Sequence, residues 1–175
     1  FKGKQNVIAL GNPDLGDLGM NLPFAEKEVK SLKRSFMLVD AYLGEKATEK
    51  IVRQESNKFR LIHFACHGVF EPAAPLFSAL LLTPQGHDDG RLEAHEIFGL
   101  NLNCDLVTLS ACETGLAHIT SGDEIIGLTR GFIYAGTPSI ITSLWKVDDL
   151  ATAVMIKRFY RYYAWDMSRA EALQK

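Results

Sequence analysis

The sequence predicts an α/β fold in which helices cover both faces of a mostly parallel sheet, a three-layer α-β-α sandwich. The first observation is alternation, because short apolar runs typical of strands are separated by segments with helical spacing of apolar residues. The second is helix punctuation, since Ser121 with Glu124 and Ser168 with Glu171 both match the capping-box pattern. The third is that the strands are continuous apolar runs, as expected where both faces of a sheet are covered.

The composition is that of one globular domain of 175 residues. Hydrophobic residues make up 47% and charged residues 23%, which excludes a disordered or collagen-like chain. The net charge of −2 disfavours binding of nucleic acid over the whole surface. No apolar run approaches the length of about 18 residues that a membrane span needs. Three cysteines are too few for a disulfide framework, so we expect a reducing, cytoplasmic location.

The first half of the chain contains three predicted strands and two predicted helices. The strands are expected at residues 7–10, 38–43 and 61–65. An apolar stripe at spacings of three and four predicts the first helix through Ala25, Val29, Leu32 and Phe36. Thr48 is expected to cap a second, short helix.

The second half continues the same alternation. Strands are predicted at residues 77–82, 106–111 and 139–145, the last of them buried, and a short helix at residues 93–100. The segment of residues 76–100 is expected to be an insertion between two strands of the sheet. A helix through Leu128 and Phe132 is expected to end at Gly136, and a further helix, capped by Asp148 or Asp149, to reach residue 163.

Two polar segments follow buried strands and carry the chemistry. They are Cys66-His67-Gly68 and Cys112-Glu113-Thr114-Gly115, and we expect both to be loops at the carboxyl edge of the sheet, where ligands bind. An imidazole beside a thiol supplies the base that forms a thiolate nucleophile, so His67 and Cys112 are candidates for a catalytic dyad. The backbone amides of Gly68 and Cys112 are candidates for an oxyanion hole. A cysteine at a strand end is also common in packing, so the spacing alone leaves a structural role open.

Residues 61–68, LIHFACHG, and residues 109–115, LSACETG, resemble the CHAT domain, a caspase-like family often fused to tetratricopeptide repeats. The resemblance continues through SLWKVDD at residues 143–149. It implies a caspase–hemoglobinase-like fold and a single domain over residues 1–175 that is truncated at both ends. It also implies that His67 is the general base and Cys112 the nucleophile. The caspase pattern has its histidine about 50 residues before the cysteine, and here the separation is 45 residues.

The resemblance also bears on substrate preference. Ser110 stands where caspases carry glutamine, so a preference for aspartate is not expected. By similarity to separase, an acidic residue at Asp148 or Asp149 implies a basic residue before the cleaved bond, although both also suit a helix start. Glu113, next to the nucleophile, is a candidate for substrate contact and equally a turn residue.

The leading hypothesis is therefore a cysteine endopeptidase that cleaves a protein or peptide substrate through an acyl-enzyme. It requires no metal or organic cofactor, and no membrane or nucleic-acid partner. Tetratricopeptide repeats or another regulatory domain are the partners that the resemblance implies. The second hypothesis is a catalytically inactive interaction scaffold with the same fold. A third, a flavodoxin-like nucleotide-binding domain, lacks a G-x-G-x-x-G loop after the first strand.

The remaining candidates near the dyad have structural interpretations. Cys66 is expected to be inert and to face the side of the sheet opposite to His67, because side chains alternate along a strand. His63 shares the face of His67 and is expected to be a hydrogen-bonded core histidine. Cys104 is expected to be incidental in a polar loop. A metal site built from His63, Cys66 and His67 has unsuitable spacing.

Overall fold

The computed structural model describes residues 2–113, 126–143 and 148–175, with the backbone alone described for residues 111–113, 126 and 149. Within these residues seven strands form one sheet: β1 (Asn6–Gly11), β2 (Leu38–Leu43), β3 (Leu61–Val69), β4 (Ala79–Leu81), β5 (Arg91–Glu93), β6 (Leu106–Glu113) and β7 (Ile140–Thr142). Five of them are parallel in the order β2-β1-β3-β6-β7. This is the doubly wound order 2-1-3-4-5 when only the parallel strands are counted.

The two short strands β4 and β5 form an antiparallel pair that lies beside the carboxyl half of β3. Leu81 is the register partner of His67 and Leu80 that of Gly68. The predicted insertion between two sheet strands is therefore confirmed. Because it pairs with β3 beyond the end of β1, it borders the edge of the sheet that holds the candidate dyad.

Six α-helices in the described residues form the outer layers: α1 (Pro23–Ser31), α2 (Glu49–Glu55), α3 (Ala94–Ile97), α4 (Ile126–Tyr134), α5 (Asp149–Ala164) and α6 (Arg169–Leu173). Buried residues of α1, α5 and α6 pack on one face of the sheet. Buried residues of α2, α3 and α4 pack on the other face. The predicted three-layer sandwich is confirmed, and each face has its own apolar core.

The helix caps and helix ends signalled by the sequence are present wherever the structure describes the residues concerned. The Thr48 hydroxyl accepts a hydrogen bond from Ile51 N, and Ser168 with Glu171 forms a capping box. Gly136, with φ of 111°, follows the end of α4. The predicted capping box of Ser121 and Glu124 lies outside the described residues.

Several predicted boundaries were wrong. Residues 66–68 and 112–113 were expected in loops, but they belong to β3 and β6, since β3 pairs with β6 as far as Gly68 and with β4 as far as Val69. The strand predicted at residues 139–145 was expected to be buried, yet β7 covers residues 140–142 and is half-buried, and within the part of the chain that the structure describes it pairs with β6 alone. Residues 144 and 145 of the predicted strand lie outside the described residues. The strand and helix predicted at residues 77–82 and 93–100 are shorter, as β4 and α3. No helix of the described residues has the length and apolar content needed to cross a membrane.

Candidate active site

The parallel register of β3 and β6 brings the two candidate dyad positions together. His67 is the register partner of Cys112, and Gly68 is the partner of Glu113. Neighbouring strands lie about 4.8 Å apart, so the backbones at positions 67 and 112 are adjacent near the carboxyl ends of both strands. Four of the residues selected from the sequence thus lie at one edge of the sheet.

The His67 ring is held by a backbone carbonyl. Its Nε2 lies 2.8 Å from the carbonyl oxygen of Met20, in the short 3-10 helix Leu18–Met20, and the side chain is buried. A carbonyl oxygen only accepts hydrogen bonds, so Nε2 must carry a proton, and in the neutral ring Nδ1 then holds the lone pair. Nδ1 is buried and has no hydrogen-bond partner among the described atoms. The basic atom of His67 is therefore Nδ1.

A buried carboxylate lies below this pair, further from the edge of the sheet. Glu28 of α1 places Oε1 2.8 Å from His63 Nε2 and accepts a hydrogen bond of 3.1 Å at Oε2 from the Ser110 hydroxyl. His63 belongs to β3, and Ser110 belongs to β6, two residues before Cys112. One side chain of α1 thus contacts both strands that carry the candidate dyad.

The other nitrogen of His63 joins the network to α5. His63 Nδ1 lies 3.2 Å from the Tyr160 hydroxyl, which donates a hydrogen bond of 2.8 Å to Thr108 Oγ1. Burial raises the pKa of Tyr160 above its ordinary value, so this hydroxyl stays protonated. The expectation of a hydrogen-bonded core histidine at position 63 is confirmed.

The cysteines outside the dyad have different environments. Cys66 is buried in the core on the side of α2, α3 and α4, opposite to His63, as expected. Cys104 is buried rather than incidental in a polar loop, because its sulfur lies 3.1 Å from the Thr137 hydroxyl beneath the chain that follows α4. Burial raises the pKa of the Cys104 thiol, which makes it a poor nucleophile.

Asp148 and Asp149 lie at the start of α5. The Asp148 side chain is exposed, and its Oδ1 accepts a hydrogen bond of 2.9 Å from Ala151 N, so it caps the helix. Asp149 is the first residue of α5. A capping role thus accounts for one carboxylate oxygen of Asp148.

A cavity of about 330 Å³ lies between the carboxyl halves of β6 and β7 and the first turns of α5. Its walls are apolar with a few hydroxyl groups: Leu109, Ser110, Ile141, Thr142, Ser143, Ala151, Thr152, Met155 and Ile156. Ser110 joins this cavity to the Glu28 network. The cavity therefore adjoins both the strand of Cys112 and the helix that Asp148 caps.

The loop after β1 was the place where a nucleotide phosphate was expected under the third hypothesis. Its glycine amides are used internally, because Gly16 N donates to Asp14 Oδ1 and Gly19 N donates to Asp17 Oδ1. These carboxylates repel a phosphate and occupy the donors it would need. Among the described residues no group of three or more His, Cys, Asp or Glu is arranged to hold a metal ion.

Neither Glu28 nor the Met20 carbonyl was predicted from the residue pattern. A signal for Glu28 was present, since it lies three residues after Ala25 and four before Leu32, within the apolar stripe of α1. A charged residue at such a position is buried only when it has partners. The Met20 contact uses a backbone atom, which leaves no signal in residue types.

The chain is similar to known proteins over most of its length. The family model described as CHAT domain matches residues 2–175. Tetratricopeptide repeat protein 28 of mouse and of human are 25% and 26% identical to the chain over 198 aligned residues, which cover 88% of the chain. The chain spans about 8% of the length of these relatives. A flavodoxin of Streptococcus pneumonia TIGR4 superposes with a TM-score of 0.54 at 11% identity, covering 93% of this chain and 99% of the flavodoxin, which shows a shared fold.

Proposed function

The chain belongs to the CHAT domain family, and on that premise we propose that it is a cysteine endopeptidase domain. Cys112 is the nucleophile and His67 is the general base and acid. The observation that carries the proposal is the His67–Cys112 register pair, together with a His67 ring whose Nδ1 holds the lone pair.

In the proposed reaction His67 Nδ1 takes the proton of the Cys112 thiol, and the thiolate attacks the carbonyl carbon of the substrate peptide. The tetrahedral intermediate collapses as the C–N bond breaks, and His67 returns the proton to the leaving amine. Water, deprotonated by the same nitrogen, then hydrolyses the thioester and releases the thiol. The Met20 carbonyl accepts from Nε2–H throughout and stabilises the imidazolium that forms in each step.

The remaining site residues complete the proposal. The amides of Gly68 and Cys112 donate to the oxyanion. Glu113, Asp148 and Asp149 contact the substrate, with the carboxylates near the start of α5 favouring a basic residue before the cleaved bond. The cavity beside Ser110 lies between β6, β7 and the first turns of α5 and is large enough for one side chain. No cofactor takes part in this chemistry.

The proposal also covers the control of access to the site and the cellular location of the domain. The relatives are named for tetratricopeptide repeats, so we propose that such repeats, or another regulatory domain or partner, control access to the site. A reducing cytoplasm suits the proposed thiol nucleophile, and three cysteines are too few for a disulfide framework.

An inactive interaction scaffold is the second candidate, and one observation favours it. Gly68 is in register with Leu80 on one side and with Glu113 on the other. Strand pairing on both sides competes for the amide that an oxyanion would need. In a scaffold, Cys112 is an ordinary thiol next to a histidine that only packs.

Alkylation of Cys112 distinguishes the two candidates. Iodoacetamide labelling is followed by peptide mass spectrometry from pH 5 to pH 10, with the unchanged protein and with His67→Ala. A peptidase gives a thiol pKa below the ordinary value of about 8.5, and His67→Ala moves it back toward that value. The buried Cys66 and Cys104 serve as internal controls that stay unlabelled in the folded protein. The same pKa in both proteins supports the scaffold.

Cleavage provides the second readout. A library of peptides with one varied position is incubated with the unchanged protein, with Cys112→Ala and with His67→Ala. Both variants are expected to lose cleavage while keeping the circular dichroism spectrum of the fold. Cleavage that survives in Cys112→Ala contradicts the mechanism.

A further inference from the structure

An apolar groove lies between α1 and α5, on the outer surface of that helical layer. Its volume is about 380 Å³, and its apolar wall includes Phe24, Leu150 and Val154. Leu150 and Val154 are 49% and 51% exposed, which is high for aliphatic side chains lying one helical turn apart. The groove is therefore an accessible apolar surface rather than part of the core.

Four basic side chains surround this apolar wall: Lys27, Lys30, Arg34 and Lys157. All four are exposed. Lys30 pairs with Glu26, whereas Lys27, Arg34 and Lys157 form no ion pair with any carboxylate whose side chain the structure describes. Among the side chains that the structure describes along the groove, Glu28 is the one acid, and it is 2% exposed and contacts His63 and Ser110 instead. A chain with a net charge of −2 thus concentrates positive charge around an apolar groove.

The basic and apolar positions form two matched stripes. On α5 the stripe runs Leu150, Val154, Lys157, at spacings of four and three, and on α1 and its 3-10 extension Leu32–Arg34 it runs Lys27, Lys30, Arg34. Seven residues of helix span about 10 Å, or two turns. A groove of this length between two helices fits a third helix that lays its apolar face against the wall.

We propose that this groove binds an acidic amphipathic helix of a protein partner, with leucine-like side chains against Leu150 and Val154 and carboxylates facing Lys27, Arg34 and Lys157. The positive charge around the groove favours a partner with negative charge. The apolar wall favours an amphipathic segment over one that is acidic but has no apolar face. The proposal does not depend on Cys112 chemistry.

Two other classes of ligand with negative charge fit the groove less well. A nucleic-acid backbone presents phosphates and needs polar donors, whereas the wall between the cations is aliphatic. An anionic membrane presents a broad, nearly flat surface, which does not follow the shape of a groove between two helices. A helix with a narrow apolar face matches both the shape of the groove and the composition of its wall.

The test uses a fluorescein-labelled helical peptide of about 14 residues with leucines at i, i+4 and i+7 and glutamates on both flanks. Fluorescence anisotropy measures its binding to the unchanged chain, and a peptide with lysines in place of the glutamates is the control for charge. We expect saturable binding of the acidic peptide, weakened as salt rises, and at least about tenfold weaker binding of the basic peptide.

Variants of the chain locate the site. Lys27→Glu with Lys157→Glu, and separately Val154→Asp, are each expected to weaken binding at least about tenfold. Lys46→Glu with Lys50→Glu makes the same change in net charge at exposed positions near and on α2 and is expected to change affinity less than about twofold. Circular dichroism and the melting temperature show that each variant is folded. Cys112→Ala is expected to bind as the unchanged chain does, which separates this proposal from the peptidase.

Three results overturn the proposal. The first is no saturable binding of the acidic peptide up to about 1 mM. The second is equal weakening by the groove and α2 pairs of substitutions, which indicates a diffuse charge effect. The third is binding of a DNA duplex, or of vesicles with one third phosphatidylserine, that exceeds binding of the peptide and is lost in Lys27→Glu with Lys157→Glu.

Discussion

His63 and Glu28 form a buried contact beneath the candidate dyad, with Nε2 of the histidine 2.8 Å from Oε1 of the carboxylate. The side chains are 0% and 1% exposed. Because Glu28 also accepts a hydrogen bond from the Ser110 hydroxyl, this one side chain connects helix α1 to both β3 and β6. The contact therefore fixes the two strands that carry the register pair of His67 and Cys112.

The first prediction concerns the charge of Glu28. Glu28→Ala removes the carboxylate that contacts the buried His63 ring and accepts from the half-buried Ser110 hydroxyl, and it is expected to lower the free energy of unfolding by about 3–5 kcal/mol. Glu28→Gln keeps one acceptor oxygen, so it is expected to cost less, about 1–3 kcal/mol. Urea denaturation followed by circular dichroism measures both.

A double-mutant cycle isolates the contact itself. Glu28→Gln and His63→Phe are expected to couple by at least about 0.5 kcal/mol, since the two side chains touch. Glu28→Gln with Lys50→Ala, a distant exposed position, is the control and is expected to be additive. Additive effects for Glu28 and His63 contradict a direct interaction.

The second prediction is a change in alkaline stability at Tyr160. Burial raises its pKa above the ordinary value of 10.0, so the folded state holds this proton more tightly than the unfolded state does. The stability that this group contributes is complete below about pH 10 and falls as pH rises further, by up to about 1.4 kcal/mol per pH unit. Tyr160→Phe is expected to cost about 1–3 kcal/mol at pH 7, from the lost contacts to Thr108 and His63. Above pH 10 it is expected to show a shallower decline.

Unfolding free energies from pH 7 to pH 11 measure this effect. Tyr162→Phe on the same helix is the control, because hydrogen bonding to Arg161 lowers the pKa of Tyr162 and gives no comparable alkaline loss. Parallel alkaline slopes for Tyr160→Phe and the unchanged protein contradict the assignment.

The sequence predicted the helix caps well, because these depend on local signals. Thr48, Asp148 and Ser168 cap helices as their residue types indicate. The predicted ends of β3 and β6 come too early in the chain, because pairing with β4 extends β3 to Val69 and pairing with β3 extends β6 to Glu113. Residue types do not encode such pairing between distant segments.

The candidate site likewise has residues that the sequence predicted and residues that it did not. His67 and Cys112 followed from polar residues after apolar runs, and their register pairing agrees with that expectation. Glu28 was not predicted, because a single acidic residue on α1 is assigned to the site only once its contacts with His63 and Ser110 are known. The tautomer of His67 depends on the carbonyl of Met20, 47 residues away in the chain, and no sequence motif indicates this contact.

The third prediction concerns Gly136 at the end of α4. A Cβ at this position would lie 2.5 Å from the Leu102 carbonyl oxygen, and φ is 111°, a conformation that side-chain-bearing residues rarely adopt. Gly136→Ala is expected to lower the unfolding free energy by more than about 2 kcal/mol, from backbone strain and from the displaced carbonyl.

Gly44→Ala is the matched control, because Gly44 also has a positive φ of 53° but open space around its Cβ position. It is expected to cost about 1 kcal/mol, from the left-handed conformation alone. Equal losses for the two variants would show that contact with Leu102 contributes nothing.

The last prediction separates two roles of Asp148. Asp148→Ala removes the acceptor for Ala151 N and is expected to lower the unfolding free energy by about 0.5–2 kcal/mol. Asp148→Asn keeps a capping oxygen and removes the charge, so stability is expected to change by only a few tenths of a kcal/mol, roughly, because asparagine caps about as well as aspartate. If the charge recognises a basic residue of the substrate, Asp148→Asn also lowers the kcat/KM ratio for lysine over leucine peptides, by about tenfold. Asp40→Asn, the same change at an exposed position on β2, leaves that ratio unchanged. A ratio that stays constant in Asp148→Asn assigns Asp148 to the helix cap alone and leaves Asp149 and Glu113 as the acidic residues to be varied next in the same assay.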